Sequence, residues 1–334
     1  MDQEKDTRPL MVSIKCWAYN QESYIRQCLD GFVMQKTNFR FEAIVHDDAS
    51  TDGTADIIRE YAEKYPDIIK PILEIENLYS KHDGSLSRIM DKACTGKYIA
   101  ICEGDDYWID SQKLQIQVDF LENHPDYSMT CCRTKRFSQR RKVFVSDVSC
   151  KEKDGDLSPQ NIIEKGGVYI ATCSILYRRE VTENYPQYCR NCHVGDYPLQ
   201  IMCAMKGKVW YLDKEMSVYR VDNETSWTEK SNNIKTKEMI FKSYKTEVLM
   251  LKGFQKDFPQ YEESFCRQSH KLVMWIAPFE AFDKESYIKH RIFFREEILE
   301  FKWWEKLKFH AMKSNSIYAR VIRKIPLMKK ILFN

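Results

Sequence analysis

The sequence predicts an α/β protein with a mainly parallel sheet covered by helices on both faces. In residues 10–125, short apolar runs alternate with segments whose apolar residues recur at helical spacing. Strands and helices that alternate in this way are typical of right-handed crossover connections. The chain has 334 residues, of which 43% are hydrophobic and 13% aromatic, enough for one large domain or two ordinary ones.

Four strands are predicted in the first 125 residues, each from a short apolar run that ends at polar residues. They cover residues 10–16, 41–46, 68–73 and 98–102. Between them lie three segments whose apolar residues fall on one face of a helix. The first helix starts near Asn20 and is expected to end at Gly31, the second ends before Pro66, and the third covers residues 85–94.

Composition and charge narrow the class of protein. No run reaches the ~18 apolar residues that cross a membrane, and the polar lead-in of residues 1–9 does not resemble a signal peptide. A cytoplasmic protein is therefore expected. The twelve cysteines are scattered, and several fall in apolar runs where a thiol acts as a small hydrophobic group, so we expect them to be reduced.

An apolar run stops abruptly at carboxylates in residues 98–108, YIAICEGDDYW. Glu103, Asp105 and Asp106 directly follow the fourth predicted strand. Carboxylate oxygens suit Mg²⁺ or Mn²⁺, and the glycine between the acids lets a second ligand approach closely. The alternative is an acidic turn between a strand and a helix, in which Asp110 and Ser111 cap the helix.

Three turns are expected to meet at one edge of the sheet. In a parallel sheet, ligands bind beyond the carboxyl ends of the strands, and Tyr19, the pair Asp47 and Asp48, and the acids around Glu103 all follow strands. The chain has neither a glycine-rich dinucleotide fingerprint nor a P-loop. An aromatic ring, a carboxylate and a metal site are the parts that hold a nucleotide. The alternative for the acidic pair is capping of the following helix.

Three segments resemble, in order and spacing, the N-terminal half of family 2 glycosyltransferases. They are residues 12–22 (VSIKCWAYNQE), 43–54 (AIVHDDASTDGT) and 96–108 (GKYIAICEGDDYW). The resemblance covers roughly residues 10–220. It implies a GT-A fold, an inverting transfer from a nucleoside-diphosphate sugar, and a divalent metal, Mn²⁺ or Mg²⁺.

By position, the resemblance implies a set of residues that contact the nucleotide sugar: Tyr19, Glu22, Asp47, Asp48, Arg88, Glu103, Gly104, Asp105 and Arg220. It makes Asp105 the principal metal ligand and Glu103 the second. Two positions depart from the family pattern. Glu103 replaces the first Asp of the DxD motif, and Ser87 and Arg88 stand where many members have an Arg-Asn pair.

The second half of the chain is expected to supply the acceptor site and the catalytic base. Asp196 matches the position of the general base in family 2 enzymes, and the alternative is an Asp at the start of a helix. Residues 167–177 are predicted to form a strand. The weaker candidates for the acceptor site are Asp106, Trp108, Thr172 and Ser174. For Thr172 and Ser174, the alternative is an ordinary strand interior.

Cys189, Cys192 and His193 form a C-x-x-C-H pattern, which is typical of haem attachment, and a C-x-x-C pair also occurs in zinc and redox sites. Haem attachment normally takes place outside the cytosol. Cys131 and Cys132 lack the spacer that a second pair of zinc ligands would need. We therefore interpret the pattern as structural.

The chain is predicted to contain four regions: a lead-in of residues 1–9, a GT-A domain of residues 10–230, a helical region of residues 231–300 and a basic tail of residues 301–334. Within the domain, residues 10–125 form the nucleotide-sugar half and residues 126–230 the acceptor half. The tail carries nine Lys or Arg residues and one acid among aromatic and aliphatic residues, and is expected to lie on an anionic membrane surface. The alternatives are a solvated basic helix and nucleic-acid binding, and Pro326 interrupts any continuous helix.

The predicted function is metal-dependent inverting transfer of a sugar, with UDP as the assumed nucleotide, to a glycan or lipid-linked acceptor in cell-surface polysaccharide assembly. The expected site of action is the inner face of the cell membrane, and no nucleic-acid partner is expected. The alternative function is a binding module, either an inactive transferase-like domain or a basic-tailed nucleic-acid-binding protein.

Overall fold

The computed structural model describes residues 8–81, 83–223 and 237–280. The chain divides into two compact units. The first consists of Met1–Pro186 and Asp196–Asn233, and the second of Gln187–Gly195 and Ile234–Asn334. The predicted basic tail, residues 301–334, lies outside the described residues, and so does most of the lead-in, residues 1–7.

The first unit contains one sheet, to which ten strands contribute in the described part of the chain. The strands are β1 (Leu10–Ala18), β2 (Arg40–Asp47), β3 (Ile69–Leu73), β4 (Tyr98–Ile101), β5 (Tyr107–Trp108), β6 (Tyr127–Ser138), β7 (Val143–Val148), β8 (Gly155–Leu157), β9 (Leu176–Arg178) and β10 (Lys208–Val221). Their order is β3-β2-β1-β4-β9-β6-β10-β5, with β7 paired to β6 and β8 paired to β10.

The prediction of a parallel sheet is confirmed for the first four strands. β3, β2, β1 and β4 run parallel, so they end at one edge of the sheet, at Leu73, Asp47, Ala18 and Ile101. The other half of the sheet is mixed, because β9 is antiparallel to both β4 and β6, whereas β6 and β10 are parallel. The turns that follow the four parallel strands share one edge, which we call the rim, where ligands bind in sheets of this kind.

Helices cover the sheet of the first unit: α1 (Glu22–Val33), α2 (Thr54–Lys64), α3 (Ser85–Ala93), α4 (Lys113–Asn123), α5 (Pro159–Lys165) and α7 (Asp196–Lys206). The three helices predicted in the first half of the chain are confirmed as α1, α2 and α3. Ile25, Cys28 and Leu29 of α1 are buried in the core because they share one helical face.

The predicted end of α1 at Gly31 is wrong, because the helix continues to Val33. Gly31 is buried, and a Cβ atom at this position would lie 2.9 Å from the backbone N of Trp108. A glycine here lets α1 pack directly on β5, which follows the acids of the turn after β4. Close packing, and not helix termination, explains this residue.

The predicted strand at residues 167–177 is wrong over most of its length. Gly167–Tyr169 and Thr172–Ser174 form two short 3₁₀ turns, and only the end of the segment pairs as a strand, β9. The side-chain Nε2 of Gln200 in α7 donates to the backbone O of Gly167 and of Ile170, both at 3.1 Å. A distant amide thus satisfies backbone groups that a neighbouring strand would otherwise bond.

The second unit is helical and comprises α6 (Gln187–Arg190), α8 (Lys237–Asp257) and α9 (Glu262–Glu280). α8 and α9 contain most of the two helices predicted at residues 235–252 and 262–276, and both end later. Phe254 and Phe265 are fully buried, and their rings stack with centroids 5.9 Å apart. Of the helices in the described ranges, none is both long and apolar enough to span a bilayer.

Candidate active site

The turn after β4 carries the acids and is held against β1. We call residues 102–106 the acid turn. The backbone N of Gly104 donates to the backbone O of Trp17 at 2.9 Å, so hydrogen bonding to β1 continues past the end of β4. A Cβ atom at Gly104 would clash with the side chain of Gln21 and lie 2.9 Å from Cδ1 of Ile25. Only a glycine lets the acid turn fit against the start of α1.

The three carboxylates of the acid turn are crowded and shielded from water. Asp106 is 1% exposed and Asp105 is 9% exposed, while Glu103 is partly buried. Burial, together with the charges of Asp105 and Asp196, raises the pKa of Glu103 to about 8. Burial and the charges of Asp105 and Glu103 also raise the pKa of Asp106 well above its usual range. Both shifts favour the protonated, neutral forms of these two carboxyl groups.

Asp196 begins α7 and belongs to the same cluster of charge. Its Oδ1 accepts from the backbone N of Tyr197 at 2.8 Å, and its Oδ2 accepts from the hydroxyl of Thr172 at 3.4 Å. Burial raises the pKa of Asp196. Its charge is also one cause of the raised pKa of Glu103, so Asp196 lies within electrostatic range of the acid turn. Asp196 is thus both the first residue of a helix and a partly buried carboxylate within electrostatic range of Glu103.

Arg220, near the end of β10, is buried and bonded to the acid turn. Its backbone N donates to Oδ1 of Asp106 at 2.8 Å. Its guanidinium donates to the backbone O of Asp105 and to Oε1 of Gln27. Arg220 therefore fixes the position of the acid turn, and the contact with a diphosphate that the resemblance implies stays a prediction.

Sequence patterns do not identify four further residues that contact the acid turn or Arg220: Tyr24, Gln27, Tyr107 and Asn223. The guanidinium of Arg220 lies 5.1 Å from the ring centroid of Tyr24 and 4.5 Å from that of Tyr107. The side-chain Nδ2 of buried Asn223 donates to Oδ2 of Asp105 at 3.3 Å. Tyr107 lies within the segment of residues 96–108 but was given no role there, and no motif marks Tyr24, Gln27 and Asn223, which come from elements far apart in the sequence.

The turns after β1 and β2 are joined to each other on the rim. Asn20 has a positive φ of 53°, and its side-chain Oδ1 accepts from the backbone N of Thr51 at 2.8 Å. A carboxylate oxygen of Glu22 accepts from the backbone N of Gly53 at 3.1 Å. Tyr19 is 38% exposed beside this junction. The ring of Tyr19 is therefore accessible to a ligand, while Glu22 holds the start of α2.

Asp47 and Asp48 are buried, and both carboxylates already accept hydrogen bonds. The two oxygens of Asp48 accept from the backbone N of Leu78 at 2.7 Å and of Tyr79 at 3.0 Å. Oδ2 of Asp47 accepts from the backbone N of Ser50 at 3.0 Å. These carboxylates order two loops of the rim. The exposed ring of Tyr79 is a further candidate contact for a nucleotide, and no sequence pattern indicated it.

Three predicted site residues use their polar groups elsewhere. Arg88 is exposed on α3, and its Nη1 donates to the backbone O of Asp83 at 2.8 Å. Trp108 is buried, and its Nε1 donates to the backbone O of Cys173 at 2.8 Å. Ser174 is also buried, and its hydroxyl donates at 2.7 Å to a backbone O three residues earlier. Trp108 and Ser174 stabilise the core, and the predicted ligand contacts of all three residues stay predictions.

The acid turn is suited to supply some of the ligands of a metal ion, with a bound substrate supplying the others. In the described part of the chain, no three His, Cys, Asp or Glu side chains are arranged to hold a metal by themselves. Oδ2 of Asp106 is nevertheless buried with no hydrogen-bond partner among the described residues, and carboxylates are hard oxygen donors. Mg²⁺ sites often use one or two carboxylates and complete the shell with substrate phosphates. The residues present suit that arrangement, with Asp105 and Glu103 as the predicted ligands.

The C-x-x-C-H pattern lies in the second unit, where Cys189, Cys192 and His193 are part of no metal site among the described residues. The backbone N of His193 donates to the hydroxyl of Thr246 at 3.1 Å, and its Nε2 lies 3.4 Å from a carboxylate oxygen of Glu247. Every cysteine lies in the described part of the chain, and none forms a disulfide. His193 attaches the segment of residues 187–195 to α8.

Solved structures share the fold of this chain. The S. aureus TarS structure in complex with UDP-GlcNAc matches over 97% of this chain and 84% of that chain, with 17% identity and a TM-score of 0.57. The mannosyltransferase PcManGT from Pyrobaculum calidifontis, in complex with GDP-Man and Mn²⁺, matches over 98% and 86%, with 15% identity and a TM-score of 0.53. These likenesses show that the chain has the GT-A fold.

The family described as glycosyl transferase family 2 matches residues 13–185, and the chain belongs to this family. An uncharacterised protein of Mycobacterium tuberculosis is 37% identical over 218 residues, which cover 65% of this chain and 60% of that protein. A UDP-Glc:alpha-D-GlcNAc-diphosphoundecaprenol beta-1,3-glucosyltransferase of Escherichia coli is 34% identical over 112 residues, 34% of this chain and 41% of that protein. The chain thus spans less than two thirds of the length of these relatives.

Proposed function

We propose that this protein transfers a sugar, with inversion, from a nucleoside-diphosphate sugar to a glycan or lipid-linked acceptor in the assembly of a cell-surface polysaccharide. The observation that carries the proposal is that the carboxylate of Asp196 lies within electrostatic range of the acid turn. The charge of Asp196 raises the pKa of Glu103, although the two residues lie far apart in the sequence. Membership of glycosyl transferase family 2 supports the same class of reaction.

The donor is proposed to bind along the rim. The exposed ring of Tyr19 packs on the base, and the loops that Asp47 and Asp48 order lie against the ribose. UDP is the proposed nucleotide. The UDP-GlcNAc bound in the TarS structure and the UDP-Glc in the name of the E. coli relative support this choice.

A divalent cation, Mn²⁺ or Mg²⁺, is proposed to bind at Asp105, with Glu103 as the second ligand. When bound, it stabilises the negative charge that develops on the leaving diphosphate. Asn223 positions the carboxylate of Asp105 through its Nδ2, and Arg220 positions the backbone of Asp105 through its guanidinium. The Mn²⁺ in the PcManGT structure supports a divalent cation in this fold.

Asp196 is proposed to be the general base. Its carboxylate takes the proton of the acceptor hydroxyl while the new bond to C1 of the sugar forms and the bond from C1 to the diphosphate breaks, which inverts C1. Burial raises the pKa of Asp196, and this brings its basicity closer to neutral pH. The hydroxyl of Thr172, 3.4 Å from Oδ2, orients the carboxylate.

Transfer to the acceptor is proposed to take place at the cytoplasmic face of the cell membrane. The name of the E. coli relative includes a sugar linked to diphosphoundecaprenol, which supports a lipid-linked acceptor. The basic tail of residues 301–334 is proposed to hold the protein at an anionic membrane surface. The charge pattern of the tail alone supports this step, since the tail lies outside the described residues.

The test of the proposed function is a donor screen with the full-length protein. UDP, GDP and dTDP sugars are incubated with the protein in Mn²⁺, in Mg²⁺ or in EDTA, with and without lipid-linked acceptors. We expect slow hydrolysis of one donor with a cation, none in EDTA, and transfer when a suitable acceptor is added. A result in which no donor binds or reacts with either cation would contradict the proposal.

A further inference from the structure

The hairpin formed by β6 and β7 ends in basic residues that lie next to apolar ones. We define the basic tip as Arg140, Arg141, Lys142, Val143 and Phe144. Lys142 has a positive φ of 56°, and its backbone N donates to the backbone O of Ser138 at 2.8 Å, which closes a tight turn. Residues 139–146 (QRRKVFVS) contain no acid. All charged side chains of the turn are therefore positive.

The three basic side chains of the basic tip are exposed, and among the described residues their one hydrogen bond joins Nε of Arg141 to the hydroxyl of Ser138 at 3.5 Å. Within residues 8–81, 83–223 and 237–280, no acid forms an ion pair with any of them. By contrast, Lys135 on the same hairpin pairs with Glu215 at 3.0 Å. Asp222, directly after β10, accepts from the hydroxyl of Ser138 at 2.5 Å. The charge of the basic tip is thus available to a partner outside the chain.

The apolar residues of the basic tip are held in place and half exposed. Val143 is 48% exposed and Phe144 is 53% exposed. The Phe144 ring packs edge-on against Phe137 with centroids 5.3 Å apart, and Nζ of Lys135 lies 5.1 Å from its centroid. Interfacial segments bind anionic bilayers with this combination, because apolar groups enter the headgroup layer while Lys and Arg reach lipid phosphates. A soluble polyanion would use the cations and leave the apolar groups in water.

The basic tip is connected to the acid turn through β10. Ser138, at the base of the hairpin turn, pairs with Val221, and the backbone N of Gln139 donates to the backbone O of Val221 at 2.8 Å. The residue before Val221 is Arg220, which bonds Asp106 of the acid turn. Two consecutive residues of β10 therefore link the basic tip to the candidate active site.

We propose that the basic tip docks the first unit on an anionic lipid bilayer. Its three cations bind phosphate headgroups, and Val143 and Phe144 enter the headgroup layer. This docking surface is distinct from the basic tail, because it lies within a described hairpin of the first unit. It does not depend on the proposed sugar transfer. If the protein also transfers sugars, docking through the basic tip holds the acid turn close to the membrane surface.

The first test measures binding of the full-length protein to vesicles of phosphatidylcholine with and without phosphatidylglycerol. Each Lys or Arg near an anionic surface contributes about fivefold to binding, so R140S/R141S/K142S is expected to bind anionic vesicles roughly 100-fold more weakly than the wild type. The matched control is R59S/K64S/K70S, which removes three exposed basic residues from α2 and from β3 at the far edge of the sheet. The control is expected to bind almost as the wild type does. Equal affinities of the tip variant and the wild type would overturn the proposal.

The second test separates the basic tip from the basic tail, which stays present throughout. A photoreactive p-benzoylphenylalanine replaces Phe144 in one protein and the exposed Lys64 of α2 in a control protein. On irradiation with anionic vesicles, we expect lipid adducts at position 144 and few at position 64. Adducts of position 144 with a second copy of the chain, or vesicle-bound protein without lipid adducts there, would overturn the proposal. The proposal would also be overturned if the tip variant lost binding to soluble polyphosphate but bound vesicles as the wild type does.

Discussion

The backbone N of Arg220 lies 2.8 Å from Oδ1 of Asp106 and joins the end of β10 to the acid turn after β4. The guanidinium of the same residue bonds the backbone O of Asp105. One buried residue from the second half of the chain thus fixes both acids that follow Gly104. The positions of these carboxylates depend on the packing of β10, and a change at Arg220 is expected to reach them.

Arg220→Ala is expected to lower the free energy of unfolding by roughly 3 kcal/mol, because the backbone O of Asp105 and the side chain of Gln27 lose a buried donor. The control is Arg26→Ala. Arg26 forms an exposed ion pair with Glu60, so its loss is expected to lower the free energy of unfolding far less than the loss of Arg220. Urea unfolding monitored by circular dichroism measures both changes. Equal losses in the two variants would contradict the role assigned to Arg220.

Asp105→Ala is expected to abolish metal-dependent donor binding without unfolding the protein. The change removes the proposed principal metal ligand, and it also removes a charge that raises the pKa of Glu103. Calorimetric titration with UDP in Mn²⁺ measures the loss, and thermal unfolding verifies that the fold is intact. Asp67→Ala, at an exposed position, is the control. Unchanged UDP affinity in the Asp105 variant would refute the assignment.

Asp196→Asn is expected to keep donor binding and to lose about 100-fold or more in the rate of transfer, the usual scale for removing a general base. Asparagine keeps the shape of the side chain and still accepts a hydrogen bond from Thr172, but it cannot take a proton from the acceptor. Donor titration and steady-state transfer on the same preparation separate the two effects. Turnover close to that of the wild type would place the base elsewhere.

Gly104→Ala is expected to destabilise the protein by roughly 1–3 kcal/mol and to weaken donor binding in Mn²⁺. The added Cβ would lie 2.9 Å from Cδ1 of Ile25 and would push the acid turn away from α1. The matched control is Gly195→Ala, where a Cβ would meet nothing within 4 Å. Differential scanning calorimetry compares the two variants. If both have the Tm of the wild type, the acid turn does not need a glycine.

The stability of the metal-free protein is expected to fall as the pH rises from 5 to 8. Burial and the charges of Asp105 and Asp196 raise the pKa of Glu103 from 4.5 in the unfolded chain to about 8 in the folded protein. Between these values the folded state keeps a proton that the unfolded state releases, so raising the pH favours unfolding.

Glu103→Gln is expected to remove this part of the pH dependence. Between pH 5 and pH 8, the free energy of unfolding of the variant is expected to rise by roughly 2 kcal/mol or more relative to that of the wild type. Denaturant unfolding in EDTA at several pH values measures the difference. Glu63→Gln, at an exposed position, is the control. A difference between Glu103→Gln and the wild type that stays constant with pH would be inconsistent with a raised pKa of Glu103.

Sequence patterns predicted the parts of the fold that local periodicity controls. Buried strands leave short apolar runs, and helices with one buried face leave a repeat, so β1 to β4 and α1 to α3 were recognisable. The rule that turns converge at the carboxyl ends of parallel strands then placed Tyr19, Asp47 and Glu103 on one rim. The types of residue that gather there were therefore predictable.

Other features depend on contacts between residues that are far apart in the sequence. Gly31 resembles a helix terminator, but its contact with Trp108 decides its role. Residues 167–177 resemble a strand, but the side chain of Gln200 bonds their backbone in another conformation. The hydrogen-bond partners of the polar atoms were not predictable from the sequence either. The two carboxylate oxygens of Asp48, for example, accept from backbone N–H groups of the loop after β3. No local pattern reports such partners.

Residues 187–195 belong to the second unit, although residues of the first unit precede and follow them in the sequence. The hydroxyl of Tyr188 donates to Asp257 of α8 at 2.6 Å, and His193 bonds Thr246 of the same helix. The next residue after this segment is Asp196. The helical unit is therefore not a module that can be exchanged alone. A chimera that takes α8 and α9 from a relative must inherit residues 187–195 from the same relative, or the chain that leads into the proposed base loses its support.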